Sequence, residues 1–342
     1  MSRIKVAVAQ ISSTFSVEST LLKISRYIDE AVKASAQLIV FPEATIGGYP
    51  KLHNFDSVIG ERSPEARSLY EEYVRGSITV PGPAIDSICE MSRMGGVFIV
   101  IGVIERSCES GTLYCTAVFV DPQYGFVGKH RKVMPTGMER VIWGQGDGST
   151  LDVFRPSMVP DGIVSATICW ENYMPLLRQH YYTKMVNLYC APTVDSRDSW
   201  PLTMTHIALE GRTFVLSACQ YARRKDFPGV WRTEGDPEEE IIKGGSMIIG
   251  PLGEVLAGPM RGTKGVLVAE IDLGDCIKAK YDLDVVGHYA RYELRCYYCL
   301  IFQGRHFQIV CQHPEDEFLN GIIYCRTRDV VTAAPQLHSF AA

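Results

Sequence analysis

Short apolar, β-branched runs alternate with amphipathic helical patterns along this chain, and that alternation limits its fold more than any other feature. Residues 4–10 (Ile4-Lys-Val-Ala-Val-Ala-Gln10) read as a strand, and residues 17–34 follow with Leu21, Ile24, Ile28, Ala31 and Val32 at helical spacing. Residues 37–41 read as a second strand, ending at Pro42-Glu43. Helices are predicted over 63–74, opened by Ser63-Pro64-Glu65, and over 84–94; strands are predicted over 97–104 and 113–120. The turn Asp121-Pro-Gln-Tyr-Gly125 leads into a further strand over 126–133, so a hairpin interrupts the β-α-β order. Beyond residue 163 the pattern resumes with a strand ending at Cys169, a helix carrying Pro175 in its first turn, a strand over 185–190, a helix over 200–212 and a strand over 213–219. Runs at 245–249, 253–257 and 265–271, divided by turns that include Gly258-Pro259, close the pattern. Such an order builds a layered α/β sandwich. Residues 227–240, rich in Pro, Gly and Glu, read as an exposed insertion loop.

With 342 residues, 46% of them hydrophobic, the chain can bury the core of one large α/β domain. The net charge of -5 is modest and the basic residues are scattered, apart from Lys129-His-Arg-Lys132 and Arg223-Arg-Lys225, so nucleic acid is not an expected partner. No apolar run reaches the roughly 20 residues of a membrane helix, and Met1-Ser-Arg-Ile-Lys5 leads directly into a strand, which points to a cytoplasmic protein away from membranes. Eleven cysteines, odd in number and thinly spread, with Cys115, Cys169, Cys190 and Cys219 in apolar runs, are expected as reduced thiols. Cys296-x-x-Cys299 with His306, Cys311 and His313 offers soft ligands at a spacing that fits no familiar zinc module, so no metal is expected.

Three chemically complementary residues fall at strand ends, where open α/β architectures assemble their sites: Glu43, Lys132 before Met134-Pro135, and Cys169. A carboxylate can take a thiol proton, an ammonium can stabilise the thiolate and charge developing on a substrate, and the thiolate can form a covalent adduct. Taken singly, each has a plainer explanation. Glu43 suits a helix cap, Lys132 a solvated strand end, and Cys169 an inert core thiol. Glu171 and Asn172 suit a helix N-terminus as well as an organised elbow or substrate mouth. His130 and Arg131 read as surface charge or support for the site, and His206 as a structural histidine among apolar neighbours. Trp143 and Tyr49 suit the wall of an apolar pocket, with core packing equally open for Trp143.

Together, Phe41-Pro-Glu43-Ala, Gly128-Lys-His-Arg-Lys132-Val-Met-Pro-Thr136, Glu139-Arg140, Trp143-Gly-Gln-Gly-Asp-Gly148 and Cys169-Trp-Glu-Asn172 resemble the nitrilase branch of the carbon–nitrogen hydrolase superfamily. Cys190-Ala-Pro-Thr-Val-Asp195, Ala208-Leu-Glu-Gly-Arg212 and Val286-Gly-His-Tyr-Ala-Arg291 extend the resemblance, and Cys-Trp-Glu-Asn is similar to plant-type and some yeast nitrilases. The resemblance implies a four-layer α-β-β-α sandwich and hydrolysis of a nitrile to a carboxylic acid and ammonia, with no cofactor. It implies Cys169 as nucleophile, Glu43 as general base, Lys132 as stabilising cation and Glu139 as a second glutamate that positions Lys132 or the substrate. Tyr49, Trp170, Glu171 and Asn172 are the expected substrate-binding residues. A homo-oligomer, a dimer or larger, is implied as well.

An amidase or carbamoylase using the same three residues is the neighbouring alternative, and an inactive scaffold homologue a more distant one. The expected hydrolase domain spans residues 1–293. After Arg291 the family pattern breaks off, leaving residues 294–342 as an atypical tail whose end, 331–342, reads as unstructured.

Overall fold

The computed structural model describes residues 3–291, so the tail and its Cys/His cluster lie outside the described residues. In chain order the strands are β1 (Arg3–Gln10), β2 (Leu38–Val40), β3 (Phe98–Arg106), β4 (Leu113–Asp121), β5 (Gly125–Arg131), β6 (Val164–Ala166), β7 (Leu188–Thr193), β8 (Phe214–Cys219), β9 (Tyr221–Arg223), β10 (Glu240–Ile249), β11 (Val255–Arg261) and β12 (Gly265–Asp272). The helices are α1 (Val17–Lys33), α2 (Pro64–Gly76), α3 (Pro83–Gly95), α4 (Pro175–Thr183), α5 (Ser199–Gly211) and α6 (Gly274–Ala279). One sheet has the order β12-β1-β2-β3-β4-β5 and the other the order β11-β10-β8-β7-β6, with β9 paired to β10. Each sheet holds a parallel block: β1-β2-β3 lies inside the first, with antiparallel strands on both sides, and β8-β7-β6 ends the second, with antiparallel β10 and β11 on the β8 side alone.

The period of two along the strands sorts the core into layers. In β1, Val6 and Val8 point to an apolar layer shared by both sheets, with Phe98, Val100 and Phe119 from one and Val164, Leu188 and Leu216 from the other. Ala7 and Ala9, on the opposite face, pack under Ile24 and Ile28 of α1 and Ile85 and Ile88 of α3. The second sheet repeats the arrangement. Tyr189, Val215 and Met247 turn outward against Tyr181 of α4 and Met204 and Ile207 of α5. Strands buried on both faces read as near-continuous apolar runs, which is why the sequence shows them clearly. The result is the expected α-β-β-α sandwich.

Several elements differ from expectation. β6 has three residues, because the chain leaves the ladder after Ala166 to form the bend at Cys169. The strand expected at 185–190 begins at Leu188, since Met185 takes φ 60° in the turn that closes α4. β11 continues through Gly258-Pro259; it is the edge strand of its sheet, where a proline's missing N–H is tolerated. The 227–240 segment is anchored as well as exposed: Phe227 and Trp231 are buried, and Trp231 stacks on Phe15 at 5.3 Å. His206 is exposed on α5, 3.7 Å from Glu210, and is no core histidine. Cys115, Cys169, Cys190 and Cys219 are buried free thiols.

Glu105 at the end of β3 is buried and ties the hairpin strands to it, accepting from Thr116 (2.9 Å), Lys129 (2.6 Å) and Arg131 Nε (3.0 Å). Burial pushes its carboxyl up, but Arg131, Lys129 and Thr116 outweigh that and hold it below its ordinary value. A depressed carboxyl stabilises the fold above its unfolded pKa and loses that contribution as pH falls through the folded one. Glu105→Gln is therefore expected to cost about 1.5–3 kcal/mol at neutral pH, with the deficit against wild type shrinking as both are acidified below about pH 4. Thermal unfolding across pH checks this, and a constant deficit counts against it.

Candidate active site

Three strand ends converge where the two sheets meet. Glu43 lies just beyond β2, Lys132 directly follows β5, and Cys169 lies just beyond β6. Glu43 and Lys132 are wholly buried and Cys169 is 3% exposed. Lys132 Nζ donates to Glu43 Oε1 at 2.7 Å and to Glu139 Oε2 at 2.8 Å, so one ammonium bridges two carboxylates. Glu139 Oε2 also accepts from the Thr136 amide (2.6 Å), and its Oε1 accepts from the Tyr49 hydroxyl (2.8 Å). Lys132 Nζ lies 5.6 Å above the ring of Trp143, whose Nε1–H donates to Tyr73 Oη at 3.2 Å; Trp143 is thus a buried wall beside the cation.

Cys169 opens a single 3₁₀ turn, Cys169–Tyr173, that separates β6 from α4. Its φ is 51°, a left-handed conformation that costs a non-glycine residue of order 1 kcal/mol and persists only where surrounding contacts enforce it. The Thr193 hydroxyl, at the end of β7, donates to its Sγ at 3.2 Å. Glu171 and Asn172, suited by type to a helix cap, an elbow or a substrate mouth, lie wholly buried beneath the bend. Asn172 Nδ2 donates to the carbonyls of Thr167 (2.9 Å) and Cys169 (2.8 Å), while Glu171 accepts from the amides of Ile168 (2.7 Å) and Val133 (2.6 Å). A buried carboxylate needs donors, and here the backbone supplies them. Trp170 is 41% exposed; its indole N–H donates to Asp195 at 2.8 Å, and the Arg197 guanidinium lies 4.6 Å over its ring.

Electrostatics couple the three groups. Burial alone would push Lys132 down, but Glu43, Cys169, Cys115 and Glu139 hold it well above its ordinary value, so it stays an ammonium. Burial raises the Glu43 carboxyl, Lys132 pulls it back, and Glu139 adds to the rise. Burial and the neighbouring Glu43 push the Cys169 thiol well up, against the pull of Lys132. The resting pair is thus a thiol beside a carboxyl group of heightened proton affinity. Glu43 Oε1 is held by Lys132 and by the Cys115 thiol at 3.5 Å, whereas Oε2 is buried with no hydrogen-bond partner among the described residues.

Residues outside the expected set complete the surroundings. Gln220, just past β8, donates across the sheets to the Glu43 carbonyl at 2.7 Å. His130 is 1% exposed and contacts both Glu171 oxygens, at 3.0 and 3.2 Å, while Arg131 points away to Glu105. The signal for His130 was present: a strand's period of two puts residues 130 and 132 on one face. Thr193 ends β7 and Gln220 follows β8, both in the parallel block.

A sandwich of this topology with a buried Glu-Lys-Cys centre defines a carbon–nitrogen hydrolase, and the model of the carbon–nitrogen hydrolase family matches residues 5–281; the chain belongs to that family. Its place is in the nitrilase branch. It is 55% identical over 302 residues, 84% of this chain and 94% of the relative, to an arylacetonitrilase of Trametes versicolor. It is 50% identical over 294 residues, 85% of this chain and 94% of the relative, to an aliphatic nitrilase of Sinorhizobium fredii. A bifunctional nitrilase/nitrile hydratase of Nicotiana tabacum is 49% identical over 299 residues, covering 85% and 84%. The fold is shared with a carbon–nitrogen hydrolase of Helicobacter pylori (TM-score 0.68, 16% identity, 88% of this chain and 99% of that one) and with Saccharomyces cerevisiae Nit3 (0.63, 18%, 84% and 97%).

Proposed function

We propose that this chain hydrolyses a nitrile to a carboxylic acid and ammonia, with Cys169 as nucleophile, Glu43 as general base, Lys132 as the stabilising cation and Glu139 as its positioning partner. The observation that carries the roles is the asymmetry of Glu43: Oε1 is engaged by Lys132, and Oε2 is left to take the proton of the Cys169 thiol. The thiolate attacks the nitrile carbon, and the proton passes from Glu43 to the nitrogen, giving a thioimidate. Lys132 meets the negative charge that builds on that nitrogen. Water then attacks the thioimidate carbon as Glu43 accepts its proton. Protonation of the nitrogen and cleavage of the C–N bond release ammonia and leave a thioester. A second water, activated in the same way, releases the acid and returns the thiol. Expulsion of the thiolate in place of ammonia yields an amide, an outcome in keeping with the tobacco relative's bifunctional name.

The same reading includes a cytoplasmic homo-oligomer, supported by the free thiols and by the apolar side chains Leu176 and Leu202 that α4 and α5 expose. Among the described residues, no helix is long and apolar enough to cross a membrane. Sedimentation of the purified chain tests its oligomeric state. Ammonia and acid release from aliphatic, aromatic, arylacetonitrile and cyanoalanine-type nitriles, run beside the matching amides, tests the reaction; turnover of amides alone sinks it in favour of an amidase.

Tyr49→Phe removes the hydroxyl that donates to Glu139 and leaves a buried carboxylate oxygen short of a donor. The expected result is a fall in kcat of roughly tenfold, the equivalent of about one charge-assisted hydrogen bond. Steady-state kinetics on the best nitrile check it, and an unchanged kcat removes Tyr49 from the network.

A further inference from the structure

We propose that Glu171 and His130 are positioning residues that bracket the two sheets together and so fix Cys169 relative to Lys132. β5 and β6 are the last strands of their respective sheets, so the ladders alone cannot set where one lies against the other. Glu171 supplies that tie. Its Oε2 accepts from the amide of Ile168, the residue before Cys169, and its Oε1 accepts from the amide of Val133, the residue after Lys132. One side chain therefore holds the amide of the residue before the nucleophile and the amide of the residue after the cation.

His130 completes the bracket from the inner face of β5, with Nε2 at 3.0 and 3.2 Å from the two carboxylate oxygens. The tautomer follows from the carboxylate it faces. The Glu171 oxygens facing Nε2 are acceptors, which places the ring hydrogen on Nε2 and leaves Nδ1 to accept from the Thr150 hydroxyl at 3.4 Å, an oxygen that also accepts from the Arg131 amide at 3.1 Å. The histidine thus donates to Glu171 without needing a second proton. Asn172 holds the carbonyls on the opposite side of the same bend, and Arg178 fixes Asn172 through its carbonyl at 2.8 Å. These contacts supply the over-determination that a left-handed Cys169 requires.

The inference rests on the nitrile-hydrolysing reading for its turnover measurement, and a second measurement, alkylation of Cys169, is independent of it. The full chain is prepared as wild type, Glu171→Gln, His130→Ala and His130→Gln, and each is assayed per Cys169 site titrated by iodoacetamide, read on the Cys169 peptide by mass spectrometry because Cys108 is exposed as well. A glutamine at position 171 replaces one accepting oxygen with a donor facing a backbone N–H. The expected result is a fall in kcat on the order of 10²-fold, the scale of a misplacement of about 1 Å, with KM held within about threefold. The pH profile of alkylation is expected to move upward as the thiolate loses its nearby cation. His130→Ala is expected to lose about tenfold in kcat. His130→Gln, whose amide nitrogen can donate where Nε2 stood, is expected to recover most of that loss. Unchanged kcat per titrated site with an unchanged alkylation profile in Glu171→Gln overturns the proposal, even if its Tm falls. If Glu171→Gln does not fold, the His130 pair decides: equal losses in both variants overturn it. A wild type that turns over no nitrile defeats the functional reading, while the alkylation profiles still decide the bracket.

Discussion

Cys169→Ala is expected to abolish nitrile hydrolysis, with kcat falling by a factor on the order of 10⁴ or more, because no covalent intermediate can form. The fold should survive. The thiol is buried but small, alanine keeps the Cβ that the left-handed bend already accommodates, and the hydrogen bonds that hold the bend come from Asn172 and Glu171 rather than from sulfur. What the substitution removes is the sulfur's contact with the Thr193 hydroxyl and its hydrogen bond with the Glu43 carboxyl. Ammonia release measured beside circular dichroism and thermal unfolding separates loss of chemistry from loss of structure. Turnover persisting in a well-folded Cys169→Ala chain refutes the nucleophile assignment.

Glu43→Gln should be nearly as damaging, in the range of about 10²–10⁴-fold for the loss of a general base. Its particular mark is in the pH dependence. Burial lifts the Glu43 carboxyl above its ordinary range, and below that raised value the group is already protonated and cannot accept from Cys169. Wild-type kcat/KM is therefore expected to fall on the acid side at a pH above the usual glutamate value of about 4.3. In the Gln variant that limb disappears with the group that caused it, leaving a low rate that rises only as the thiol itself ionises at alkaline pH. Burial raises that thiol well above its normal value, so the rise lies far from neutrality. An acid limb kept unchanged in Glu43→Gln assigns the titration to another residue.

Much of this arrangement was legible before any coordinates. Strands buried on both faces announced themselves as apolar runs, and the acid, cation and thiol could be placed together because each follows such a run. Local conformation was less legible, since hydrophobic period carries no information on the sign of a single φ. The left-handed Cys169 and the one-turn 3₁₀ segment after it have no apolar signature of their own. Polar type alone leaves burial open. Glu171 suits a helix cap, an elbow or a substrate mouth, and its carboxylate is buried where backbone donors converge on it; His206, read as a structural histidine among apolar neighbours, projects from α5. Composition marks 227–240 as exposed, as most of it is, but carries no sign that Trp231 anchors the segment among Phe15, Phe55 and Tyr73.

Glu43 and Lys132 come from one sheet, and Cys169, Thr193 and Gln220 from the other. The separation of the carboxylate and ammonium from the thiol is thus set by the thickness of the hydrocarbon filling between two stiff plates, a dimension that close-packed side chains hold almost incompressibly. The apolar interior acts here as a calibrated spacer. Swelling or thinning of that filling reaches the thiol and the ammonium as a change of gap while every strand stays paired, so turnover is a finer gauge of interior packing in this molecule than its melting temperature.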